Sequence, residues 1–115
     1  MAHTSNISID VTLDEARVPE NITWRATDST ADTVQAAKAM LLAFCDGADK
    51  SALRIDLWTK TMMVDEMADF YYQVFMTMAD TFQRATNQTD LTREMKENAA
   101  AFLKKFKALQ IENQS

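Results

Sequence analysis

The apolar residues of this chain change their period once. Before Lys60 they recur at every second position in several short segments, and from Val64 onward they recur every three to four. A period of two places one face of a strand on a core and a period near 3.6 does the same for a helix, so strands are expected first and helices last. The first alternation is Ile7, Ile9, Val11 and Leu13 against Ser8, Asp10 and Thr12; the second is Ile22, Trp24 and Ala26 against Thr23 and Arg25. Between them the polar stretch Asp14 to Asn21 holds the only proline, Pro19, and turns the chain, which predicts an antiparallel pair.

The polar residues Asp28 to Thr33 lead into Thr33 to Lys38, a stretch suited to one or two helical turns. Met40 to Cys45 is apolar at every position and is followed by Asp46-Gly47, a hairpin signal because glycine reaches positive φ without steric cost. The run is therefore read as a central strand, with Cys45 as a small buried apolar residue. The returning strand carries Leu53, Ile55 and Leu57 inward and Arg54, Asp56, Trp58 and Lys60 outward. One helix is expected over Val64 to Ala85, ended by Asn87 and Gln88, and a second from Asp90 to Ile111. The second gathers Leu91, Met95, Phe102, Phe106 and Leu109 within an arc of about 60°, with Lys104, Lys105 and Lys107 in its final turns at the negative end of the helix dipole. The expected fold is α+β, a four-stranded, mainly antiparallel sheet in ββββαα order with two long C-terminal helices on one face. It is expected as one domain over residues 1–115, frayed at 1–5 and 112–115.

Composition removes several function classes. Seventeen acidic residues against twelve basic ones give a net charge of −5, which repels phosphate backbones and anionic lipid surfaces, so nucleic acid is not an expected partner. The longest unbroken apolar run has seven residues against about 20 for a spanning helix, and Met1 to Asp10 lacks the basic and apolar regions of a signal peptide. No membrane insertion is expected. A single cysteine allows no internal disulfide and suits a reducing, cytoplasmic setting.

The residues offer little chemistry. The single histidine, His3, lies in the N-terminal tail, one histidine and one cysteine make no zinc spacing, and a lone Gly47 makes no phosphate cradle. Asp65, Glu66 and Asp69, at the start of the first helix, are the one carboxylate group that a hard cation could use, against the simpler reading that they solvate a helix N-terminus. No cofactor is implied, and no enzyme is expected.

Surplus apolar surface is the informative signal. The apolar residues of the first helix spread over about 240°, whereas packing on one neighbour needs a stripe of about 100°; the second helix covers one flank only. Tyr72 and Met76, at the margin of the arc, are the expected exposed edge. Trp58, on a face shared with Arg54, Asp56 and Lys60, suits an interaction hot spot unless the arginine or lysine stems shield it. A sheet with free edges also favours symmetric self-association, so a homodimer is expected. The competing reading is a small-molecule or lipid-binding regulator, with a pocket between sheet and helices lined by Trp24 and the methionines.

Several segments together carry a resemblance: Leu13-Asp14-Glu15 with Arg17-Val18-Pro19-Glu20 and Ile22-x-Trp24; Leu53-Arg54-Ile55-Asp56-Leu57-Trp58-Thr59-Lys60; Val64-Asp65-Glu66-Met67; and Ala79-Asp80-Thr81-Phe82-x-Arg84-Ala85-Thr86. In these the chain resembles the gliding-motility-associated GldC family of the Bacteroidota. The resemblance implies a small cytoplasmic accessory or assembly protein that meets protein components of the gliding machinery, and it implies no reaction. Where the family pattern has threonine before Val-Asp-Glu-Met, Met63 stands here.

Overall fold

A computed structural model describes residues 2–28, 33–47 and 52–114, and the chain divides into two compact units, Met1–Met62 and Met63–Ser115. In the first unit β1 (Ile7–Leu13) and β2 (Pro19–Ala26) pair antiparallel as the alternation predicts. Cross-strand partners Ile9↔Trp24 and Val11↔Ile22 share one face, and Ile22, 1% exposed, is its packed centre. The turn between the strands is built by one side chain. The Asp14 carboxylate accepts the N–H groups of Ala16 (2.9 Å) and Val18 (3.0 Å), while Arg17 takes a left-handed φ of 64°. An aspartate that bonds backbone two and four residues on satisfies donors that a turn would otherwise leave to water.

The expected single four-stranded sheet is replaced by two antiparallel sheets, β1-β2-β3 and β4-β5. Residues Gln35–Ala37, expected within a helical turn, form the short strand β3, with Ile22↔Ala37 and Trp24↔Gln35 in register. Glutamine and alanine have no strong strand preference, so the free edge of β2 decides their conformation; tertiary pairing overrides local propensity. A bend at Lys38 separates β3 from β4 (Ala39–Cys45), which pairs with β5 (Ala52–Trp58) from Ala39↔Trp58 to Cys45↔Ala52. The Lys38 carbonyl accepts both the N–H (2.7 Å) and the hydroxyl (3.0 Å) of Thr59, which is 2% exposed. These bonds hold the junction of the two sheets.

Three further expectations in this unit are corrected. Cys45 is exposed, because β4 lies in a two-stranded sheet and is not a central strand. Leu53 and Ile55, expected inward, are 59% and 50% exposed for the same reason. Gly47 does not have positive φ, so it does not use the conformational freedom that Asp-Gly signals, and the rest of the expected turn, 48–51, lies outside the described residues.

The second unit is an antiparallel pair of helices, α1 (Val64–Thr86) and α2 (Thr89–Gln114). Asn87 ends α1 in the left-handed region (φ 58°, ψ 28°) and its N–H bonds the Gln83 carbonyl at 2.8 Å, a common C-terminal cap that asparagine tolerates. The seam between the helices is made of small residues: Ala79 and Ala99 are 0% and 1% exposed, with Ala68 buried three turns before Ala79. Thr92, also buried, donates its hydroxyl toward Gln83 Oε1 (2.7 Å) and the Gln88 carbonyl (3.0 Å). Phe75 meets Phe102 edge-on at 5.7 Å, and Lys96 pairs with Asp80 at 2.8 Å. α2 runs on to Gln114, past the expected Ile111, so Lys104, Lys105 and Lys107 lie in its final turns but before the last one.

Candidate functional site

Arg54, Asp56 and Trp58 lie at alternate positions of β5 and so share a face. Directly opposite them stand Ala43, Leu41 and Ala39, two of which are too small to cover a neighbour. Arg54 turns to Asp56, Nε to Oδ2 at 3.4 Å. Lys60 also leaves the group. Its ammonium bonds Asp14 at 3.1 Å and approaches Glu20 at 3.5 Å, and its N–H reaches the Pro19 carbonyl. Lys60 is thus a tie between the end of β5 and the β1–β2 turn, and it remains exposed. Trp58 is left 57% exposed.

The same tie shifts two titrations. The Val18 N–H, followed by the Lys60 ammonium, holds the Asp14 carboxyl below the usual carboxylate value, because both favour the charged form. Asp14 in turn raises Lys60 above the usual lysine value. At the N-terminus the hydroxyl of Ser5 and the ring of His3 lower Asp28 in the same manner, from 2.7 and 2.6 Å. The sole histidine is therefore held by an exposed carboxylate.

The opposite face of the β4–β5 hairpin carries only apolar side chains, paired as Leu53↔Phe44, Ile55↔Leu42 and Leu57↔Met40. Phe44 is 58% exposed. A face without charge that remains open is unusual for a protein working alone.

On the helices the open residues are not those expected. Tyr72 and Met76 are half-buried, so the anticipated exposed edge is corrected. The exposed side chains lie on the other flank of α1, at Tyr71, Phe75 and Met78. Ala68 and Ala79, eleven positions apart and so on one line of the helix, mark where α2 seats; Tyr72 lies along that line and Met76 beside it. On α2 the apolar arc is present as read from the sequence, but its members Leu91, Phe102 and Leu109 are exposed, because Ala99 and Thr92 face α1 in their place. The small buried residues were the missed signal. Two adjoining open grooves result, of about 740 Å³ and 370 Å³, sharing Met78 and Met95. Trp24 lines neither.

The carboxylates at the start of α1 serve the backbone. Glu66 accepts the Met63 N–H at 3.0 Å and Asp65 accepts the Glu66 N–H at 2.9 Å, while Asp69 is exposed. Among the described residues no three histidine, cysteine or carboxylate groups come together as a metal site, and no helix is long and apolar enough to cross a membrane.

The GldC-like family of gliding motility-associated proteins matches residues 19–108, which takes in four of the strands and most of both helices. The chain belongs to the GldC-like family. No curated protein and no solved structure matches it. The matched span includes Trp58, the Lys60 tie to Glu20 and both helical grooves.

Proposed function

We propose that this GldC-like chain is a cytoplasmic accessory or assembly protein of gliding motility that acts by protein–protein contact and catalyses no reaction. The observation that carries the reading is Trp58, a large side chain 57% exposed between an internally neutralised Arg54–Asp56 pair and small neighbours. Tryptophan beside arginine is the composition of an interface hot spot, and an ion pair already satisfied within the chain presents little net charge to a partner. Membership of a gliding motility-associated family supplies the process, and the protein components of that machinery are the partners this reading names. Affinity capture from gliding cells tests it. The unaltered chain recovers a defined protein partner, and Trp58→Ala, with unchanged circular dichroism, does not. Equal recovery by both refutes the role of Trp58.

A second reading, a small-molecule or lipid-binding regulator, is favoured by the groove of about 740 Å³ along α1, whose lining includes Phe70, Val74, Met78 and Phe82. A thermal-shift screen of acyl chains and small apolar ligands tests it, and the absence of any stabilising compound counts against it.

A further inference from the structure

β1 is an edge strand, with β2 as its only hydrogen-bonded neighbour among the described residues. Thr27 donates its N–H to the Asn6 carbonyl at 2.9 Å, which makes these two a hydrogen-bonded pair, and such pairs alternate along an antiparallel ladder. Ser8, Asp10 and Thr12 therefore turn their backbone groups to β2, and Ile7, Ile9, Val11 and Leu13 turn theirs outward. The bulge near Leu13 places its extra residue on β2, so β1 itself stays regular. An open edge with β-branched Ile7, Ile9, Val11 and Thr12 and neither glycine nor proline is a template for another strand. One of its residues is charged. Asp10 stands at the centre, exposed and without an ion-pair partner among the described residues.

Away from Asp10 the strand reads nearly alike in both directions, with Ile9 matching Val11, Ser8 matching Thr12 and Ile7 matching Leu13. A second copy laid antiparallel along the open edge, on a two-fold axis through Asp10, joins each of these to its match. The outward backbone groups then complete a ladder, and Ile7 and Leu13, 71% and 48% exposed, cover each other. The axis falls on a pair without hydrogen bonds between its members, the arrangement that brings opposed residues closest, about 4.5 Å between Cα atoms. Two aspartates would meet there, and like charges directly opposite each other destabilise a sheet. Sliding one strand by two residues separates the carboxylates, but it leaves two of the seven residues of each strand unpaired.

We infer that Asp10 is a gate on this edge. Its charge holds two copies apart, and where that charge is removed or met by a cation the β1 strands join two three-stranded sheets into one. The inference goes beyond the proposed function, since β1 lies outside the matched span 19–108 and does not include Trp58.

In analytical ultracentrifugation Asp10→Asn is expected at twice the mass of the unaltered chain, and Asp10→Lys, which opposes like charges again, at the unaltered mass. An equal mixture of Asp10→Lys with the unaltered chain is expected to pair at low salt and to separate as salt is raised. Amide exchange followed by nuclear magnetic resonance locates the contact. The Ile9 and Val11 amides are expected to exchange several-fold more slowly in the Asp10→Asn pair than in the unaltered chain, while those of Ser8 and Thr12, bonded to β2 throughout, change little. Should neither variant fold, the unaltered chain decides: at about 1 M salt, where charge is screened beyond about 3 Å, protection of Ile9 and Val11 is expected to rise with protein concentration. Asp10→Asn at the unaltered mass, association that leaves Ile9 and Val11 unprotected, a mixture that does not pair, or an unaltered chain whose two amides respond to concentration equally at low and high salt overturns the assignment. None of these results bears on capture through Trp58, so the two proposals fail separately.

Discussion

Met63 gives α1 half of a cap. Its backbone is extended (φ −87°, ψ 158°), as an N-cap requires, and Glu66 reaches back to its N–H at 3.0 Å, but methionine has no hydroxyl with which to accept a bond in return. Replacing Met63 by threonine supplies that acceptor. Because Asp65 already takes the Glu66 N–H at 2.9 Å, the hydroxyl either displaces that bond or takes the N–H of Asp65, which places the gain at the low end of the range for caps, about 0.5–1 kcal/mol. Against it stands the loss of the thioether stem. Met63 is 64% exposed, so about a third of the 1.5–3 kcal/mol for a fully buried methionine, roughly 0.5–1 kcal/mol, goes with it. The two effects nearly cancel, and Met63→Thr is expected to melt with the unaltered chain. Met63→Ala loses the stem and gains nothing. The informative comparison is threonine against alanine, where a difference of about 0.7 kcal/mol corresponds to about 3 °C for a chain of this length. Thermal melts of the three proteins by far-ultraviolet circular dichroism measure it. If the threonine and alanine variants melt together, the helix start is not limited by a missing acceptor and the reasoning is wrong.

A depressed Asp14 value means that its contribution is fully present above pH 3.8 and is lost as pH falls through the lower folded value, so Asp14→Asn should flatten the acid limb of urea stability measured against pH. The raised Lys60 value acts on the opposite limb, contributing below pH 10.5 and fading above it, and Lys60→Met should abolish that alkaline loss. Ala79→Leu forces a larger side chain into a fully buried seam and should cost about 1–3 kcal/mol in urea denaturation; no cost would contradict close approach of the helices. Gly47→Ala meets nothing within 4 Å and no positive φ, and should stabilise by about 0.4–1 kcal/mol through a stiffer unfolded chain, a gain that calorimetry detects.

The period of the apolar residues located β1, β2, β5 and both helices to within a few residues, because period is a local property of backbone geometry, and the Asp-Gly signal after an unbroken apolar run located β4. It did not reveal the break between the sheets. Lys38 has neither proline nor glycine beside it, and its bend is held by Thr59, 21 positions away. The Lys60–Asp14 pair spans 46 positions and was hidden for the same reason. On the helices the arc of Leu91, Phe102 and Leu109 was legible, yet its coverage was not. Periodicity tells which face is apolar and is silent on whether anything lies against it. Cys45, Leu53 and Ile55 make the same point on the β4–β5 hairpin, where apolar residues at strand positions are exposed.

With both lone pairs of one Lys38 oxygen taken by Thr59, the two ladders are counted outward from a common origin, Ile22↔Ala37 on one side and Ala39↔Trp58 on the other. Adding or deleting matched residue pairs at the far tip of the β4–β5 ribbon therefore leaves the numbering of the first sheet untouched. That arm can vary in reach at little structural consequence, whereas Thr59 is the position whose alteration both ladders feel.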